Sequence, residues 1–172
     1  PSDQTTFTHH DIQRPDLTKS QRETVAHYDN ATRWNDEVVD RILRHFANED
    51  AVVVYFSDHG EEVYDGSISL YGRIHDEQPS TEVIRHEYEV PFMIWGSPKC
   101  RRLHPELFER IQTAQHHPFS HDDLPHLLLG ISGIKTFHYK AHRDPLSPKF
   151  RPQRRLLRGK INYDEVMRSS RP

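Results

Sequence analysis

A chain of 172 residues, 34% of them apolar, falls within the size of one domain and can build a modest core. Its single cysteine, Cys100, excludes an internal disulfide, and no apolar run approaches the roughly 20 residues of a membrane-spanning helix. The formal net charge of −3 hides an asymmetry, because the segment from Lys135 onward is basic and the body is correspondingly acidic.

The sequence opens on Pro1 in a polar stretch that lacks the basic-then-apolar pattern of a secretory signal. A processed chain or an excised piece is therefore expected. Residues 1 to 17 read as loop, with Arg14-Pro15-Asp16 a turn-prone entry. Thr18 with Gln21, or Ser20 with Glu23, then forms a capping-box signature. Val25, Tyr28, Val38 or Val39, Ile42 and Phe46 recur at helical spacing, which predicts a long helix to about Asn48.

Ala51 to Phe56 is a continuous β-branched and aromatic run, the pattern of a strand covered on both faces, and Val90 to Trp95 is a second. The polar, glycine-containing stretch from Ser57 to Glu89 between them is long for a connection and therefore a place to look for function. Helices are predicted from about His104 to Gln115 and from His121 to about Gly130, the second capped by Ser120 and Asp123. A short strand is possible over Ile134 to Tyr139. The residues 141–172 form a basic tail interrupted by Pro145, Pro148 and Pro152, expected to be solvated and partly ordered. It has no aromatic interleaving, which argues against a nucleic-acid partner.

The fold expected from these elements is α/β, a mostly parallel sheet flanked by helices, with only part of the sheet present. Two strands that both want cover on two faces make a marginal sheet alone, so the remaining strands should lie outside these residues.

The segment Ser57-Asp58-His59-Gly60-Glu61-Glu62 carries the chemistry. In a parallel α/β sheet ligands gather beyond the carboxyl ends of strands, which is where Asp58 and His59 would fall. A carboxylate and an imidazole can bind zinc, with Gly60 allowing a tight turn behind them; a hydrogen-bonded turn fits the same three residues.

Ser57-Asp58-His59-Gly60-Glu61 after an apolar strand resembles the metal-binding segment of the sulfatase and phosphoethanolamine transferase branch of the alkaline phosphatase superfamily. Tyr28-Asp29-Asn30-Ala31 with Asn35-Asp36 is similar to the segment that family places before the strand. Val90-Pro91-Phe92-Met93-Ile94-Trp95 is similar to its next core strand, and His121-Asp122-Asp123-Leu124 with Leu127-Leu128-Leu129-Gly130 to the helix after it. The matches cover about residues 18 to 140 in order, which places the domain limit at 1–140 with 141–172 as the tail.

The resemblance implies an alkaline-phosphatase-like fold, with Asp58 and His59 as ligands of one or two zinc ions. Calcium or manganese would replace zinc in a sulfatase or phosphodiesterase. It places His75 where the family has a histidine that contacts the transferred group or a second metal, with Arg73 a weaker candidate. Tyr28, Asp29, Asn30 and Asp36 read as structural, and His121 and Asp122 as bracing their helix. The activity implied is transfer of phosphoethanolamine from a phospholipid to a lipid or glycan hydroxyl through a covalent intermediate. The resemblance implies a threonine, serine or formylglycine nucleophile N-terminal to the matched residues; Cys100, followed by Arg101-Arg102-Leu103, does not fit the Cys-x-Pro-x-Arg of the formylglycine enzymes, which favours the threonine type. A sulfatase or phosphodiesterase on the same scaffold, and a non-catalytic partner-binding module, are the alternatives. The location implied is the periplasmic face of the inner membrane, within a longer membrane-anchored protein.

Overall fold

The computed structural model describes residues 6–66, 70–74 and 78–169. The chain divides into two compact units, residues 1–97 and 98–172.

The first unit opens with α1, Lys19–His45. Of the two capping boxes the sequence offered, Thr18 and Gln21 form one: the Thr18 side chain accepts from Gln21 N at 3.3 Å, and Gln21 Oε1 accepts from Thr18 N at 2.8 Å. Thr18→Ala is expected to cost about 1 kcal/mol, read as a lower midpoint in urea unfolding with an unchanged slope. Arg44 and His45 in the last turn complement the helix dipole. Asn30 on this helix accepts from the backbone N–H groups of Thr6 and Phe7 and donates to the Phe7 carbonyl, which ties down the entering loop. Asn35 donates to the Tyr55 hydroxyl at 2.7 Å and so joins α1 to the first strand.

That strand, β1 (Val52–Phe56), pairs antiparallel with β4 (Phe92–Gly96), in register from Val52 opposite Gly96 to Phe56 opposite Phe92. The two other pairings, β2 (Glu62–Val63) with β3 (Tyr71–Gly72) and β5 (Leu156–Leu157) with β6 (Ile161–Asn162), are also two-stranded and antiparallel. The expected mostly parallel, helix-flanked sheet is therefore corrected to a mainly helical chain with small antiparallel ladders. Continuous apolar runs report burial and not strand direction, so the two apolar strands were read for the wrong pairing. Val52 to Tyr55 and Phe92 to Trp95 are also only half-buried, not covered on both faces.

Everything between β1 and β4 leaves and returns at one end of this ladder, where Ser57 N donates to the Pro91 carbonyl at 3.2 Å. The excursion holds the β2–β3 hairpin and a helix the sequence reading missed, α2 (Thr81–Tyr88), capped by Ser80, whose hydroxyl accepts from Val83 N at 3.3 Å. This helix buries Val83, Ile84 and Glu87.

The second unit contains α3 (Pro98–Leu103), α4 (Pro105–Ala114), a 3₁₀ turn (His121–Asp123) leading into α5 (Leu124–Ser132), then the β5–β6 hairpin and α6 (Tyr163–Ser169). Gly133, at φ 66°, ends α5 in the left-handed conformation that favours glycine. Its core holds Cys100, Leu107, Leu127 and Leu146. Ile134 to Tyr139 forms no strand: it is irregular apart from a turn at Phe137 and His138. The basic tail is more ordered than its composition suggests: Asp144 to Ser147 are buried, Arg143 pairs with the buried Asp123 at 2.6 Å, and Arg155 pairs with Asp164.

Candidate metal centre

Asp58 and His59 sit on the loop that leaves β1, so the strand fixes where they begin and the loop's own hydrogen bonds fix where they point. Ser57 Oγ donates to the His59 carbonyl at 2.7 Å, and His59 N donates to Asp58 Oδ1 at 3.0 Å, which turns both side chains to one side. Asp58 Oδ2 then lies 3.7 Å from His59 Nε2. Both are open to solvent, with side chains 83% and 42% exposed, so an ion can reach them.

The imidazole is also held in one orientation. Its Nδ1–H donates to the Gly60 carbonyl at 2.9 Å, which assigns the proton to Nδ1 and leaves the Nε2 lone pair free on the side of Asp58. A ring nitrogen engaged by a backbone carbonyl is the usual support of a metal-ligating histidine. Two ligand atoms bound tetrahedrally at about 2.0–2.1 Å would stand roughly 3.3 Å apart, so small side-chain rotations bring this pair into range. The donor set, one carboxylate oxygen and one imidazole nitrogen, suits zinc.

Behind the pair the chain runs against the end of α2. Gly60 N donates to the Glu87 carbonyl at 2.8 Å, and a Cβ on Gly60 would lie 1.8 Å from the His86 carbonyl oxygen. The turn at Gly60 therefore requires glycine for close approach rather than for an unusual φ. The placement argument from parallel sheets does not apply to an antiparallel pair; these contacts replace it as the reason the loop stands where it does.

His75 lies outside the described residues, and Arg73 is exposed. Asp29 on α1 has its carboxyl pushed above the usual range by partial burial and then by the Asp65 charge. Tyr28 is raised by burial and by Glu61, Asp65 and Asp29. Asn30 and Asn35 brace α1 against its neighbours as described above, while Asp36 is exposed.

Sequence reasoning missed the buried polar residues beneath the loop. Glu62 is 2% exposed and accepts from His86 Nδ1 at 2.9 Å, and Glu87, 4% exposed, accepts from Ile74 N at 2.5 Å. Charged side chains default to solvent, so only recognition of α2 from Ser80, Val83 and Ile84 would have drawn attention to them.

The sulfatase family profile matches residues 2–134. The chain is 32% identical over 145 residues to the phosphoethanolamine transferase EptC of Escherichia coli, a match covering 83% of this chain and 24% of that protein. It is 30% identical over 137 residues to the phosphoethanolamine transferase EptA of Salmonella typhimurium, covering 75% and 24%. Among solved structures, the C-terminal periplasmic domain of EptC from Escherichia coli in complex with Zn superposes with a TM-score of 0.80 at 30% identity, over 99% of this chain and 48% of that one. The corresponding domain from Campylobacter jejuni, at 22% identity and a TM-score of 0.60 over 89% and 47%, shares the fold. The chain spans about a quarter of the length of the curated relatives it matches.

Proposed function

Because this chain belongs to the sulfatase family of the alkaline phosphatase superfamily and is homologous to the C-terminal domain of phosphoethanolamine transferases, we propose that it carries the Asp58–His59 zinc site of such a transferase. The observation that carries the reading is the convergence of Asp58 Oδ2 and His59 Nε2 to 3.7 Å on an exposed loop, with the opposite ring nitrogen already engaged. The relative whose structure is described as a complex with Zn supports the choice of ion.

Zinc bound there would neutralise charge on the phosphoryl oxygens and lower the pKa of an attacking hydroxyl. The chain's own residues do the holding and orienting. Asp58 offers one carboxylate oxygen and His59 its Nε2, while Gly60 keeps the imidazole from rotating. Further ligands and the nucleophile come from outside these residues. In the transfer itself the bond from phosphorus to the diacylglycerol oxygen of the donor breaks as the bond to the nucleophile forms, and the departing oxygen takes a proton from His75. A lipid or glycan hydroxyl then attacks phosphorus, the bond from phosphorus to the nucleophile breaks, and the proton of that hydroxyl passes to His75. The relatives' C-terminal domains are described as periplasmic, and we place this one at the periplasmic face of the inner membrane. No helix among the described residues is long and apolar enough to cross a membrane.

Asp58→Ala and His59→Ala in the full-length protein are each expected to lower zinc affinity and turnover of phosphatidylethanolamine at least tenfold, since changes one shell further out already cost ~10–100-fold. Full zinc content and turnover in both variants would refute the site. Turnover of aryl sulfates in preference to phosphodiesters would refute the transferase assignment while leaving the metal site standing.

A further inference from the structure

We propose that the buried Glu62–His86 pair is a positioning element for this reaction, holding the end of α2 so that Gly60, and with it Asp58 and His59, stay in metal-binding geometry. The proposal rests on the zinc reading above. Four contacts carry it, all from two consecutive residues in the last turn of α2. Through the backbone, the Glu87 carbonyl accepts from Gly60 N at 2.8 Å and the His86 carbonyl closes over the Gly60 Cα. Through the side chains, His86 Nδ1–H donates to Glu62 Oε1 at 2.9 Å, and Glu87 accepts from Ile74 N at 2.5 Å. The helix end is thus fastened to the loop directly behind the ligands, again to Glu62 in β2, and to Ile74 two residues beyond β3. Rotation of α2 about its axis would move Gly60, and the Gly60 carbonyl is the group that orients the His59 ring.

Stability alone does not account for Glu62. Its side chain is 2% exposed, and Oε2 has no hydrogen-bond partner among the described residues. A buried carboxylate with one oxygen unsatisfied costs free energy that an apolar residue of similar volume would not. What the carboxylate provides is direction: it accepts from one nitrogen of one side chain on α2, where an apolar contact would let the helix slide.

The full-length protein tests this with Glu62→Leu, His86→Ala and His86→Asn, each measured for zinc affinity by chelator competition, for kcat and KM on phosphatidylethanolamine, and for the melting temperature of the metal-free form. Glu62→Leu is expected to keep or raise the melting temperature while zinc affinity and kcat fall ~10–100-fold and KM stays within about twofold. His86→Ala should show the same kinetic loss, and His86→Asn, whose amide can donate to Glu62 from nearly the same place, should recover most of it. Zinc affinity and kcat within twofold of the parent in both Glu62→Leu and His86→Ala would overturn the proposal. So would losses in Glu62→Leu that appear only in step with a lowered melting temperature, since that pattern belongs to a purely structural pair; His86→Ala, which leaves Glu62 buried without its partner, is expected to lower that temperature in either case. If Asp58→Ala and His59→Ala left zinc binding intact, the zinc reading itself would fall and the positioning role with it. If those two variants lost zinc while Glu62→Leu and His86→Ala did not, only the positioning role would fall.

Discussion

Gly60→Ala in the full-length protein should lose turnover on the order of 100-fold, more than removal of a hydrogen bond anywhere else in the loop. The added methyl would have to occupy a point 1.8 Å from the His86 carbonyl oxygen, 2.9 Å from the His86 carbonyl carbon and 3.3 Å from the Glu87 carbonyl carbon. All three are backbone atoms near the end of a helix, so no side chain can swing aside to make room. Either the loop lifts from α2, breaking the Gly60 N–H bond to Glu87, or α2 shifts and strains its contacts with Glu62 and Ile74. Overpacking of this kind costs about 1–3 kcal/mol in stability. The larger loss falls on chemistry, because a displacement of about 1 Å at the ligands suffices for a 100-fold drop in rate. Steady-state kinetics and zinc content together check this, and an alanine variant with parental kcat and zinc content would show that the loop does not depend on its seat against α2.

Asp144→Ala should be the most destabilising single change in the second unit, by about 2–4 kcal/mol in chemical denaturation. Asp144 is 1% exposed, and both of its oxygens are used: Oδ2 accepts from the Tyr139 hydroxyl at 2.7 Å and Oδ1 from Leu146 N at 2.9 Å. Removing the carboxylate strands two donors in the interior, where each unsatisfied group carries its full desolvation cost. It also empties space beside Gly130, which packs so closely that a Cβ there would lie 2.2 Å from Asp144 Oδ2.

A spectroscopic sign should accompany the loss. Burial, and then the hydrogen bond and charge of Asp144, push the Tyr139 hydroxyl up from 10.0 to about 12. Folding therefore favours the neutral phenol, and the stability this contributes is intact below pH 10 and lost as pH rises through about 12. In Asp144→Ala the phenol should titrate nearer its ordinary value, seen as earlier appearance of tyrosinate absorbance. An unchanged titration would mean that burial alone sets the shift.

Local features were legible along the chain because short-range chemistry decides them. Thr18 and Gln21 announced the start of α1, Pro105 the start of α4, and the apolar runs marked both longer strands within about two residues of their limits. The Asp58–His59–Gly60 segment stood out for the chemistry of its side chains next to a strand end. The polar stretch after it was read as connection because α2 hides its signal: His86 and Glu87 stand on the faces where a helix would usually show apolar residues. Composition marks the tail as basic and largely solvated, but it does not show which acids meet its cations, Asp123 for Arg143 and Asp164 for Arg155.

Strand direction was invisible for a different reason. Periodicity records which faces of a residue run are covered, and a half-buried antiparallel pair and an interior parallel strand can produce the same apolar run. Pairing β1 with β4 needed the return path of some thirty residues, a property of the whole excursion and of no segment within it. The same holds for the support beneath the candidate zinc site. Residue types adjacent in the chain name the two proposed ligands, but Glu62 meets His86 across 24 positions, and Gly60 meets the end of α2 across nearly thirty. Contacts at that separation are selected by packing and hydrogen-bond satisfaction in three dimensions, and they are what turn two neighbouring side chains into a shaped site.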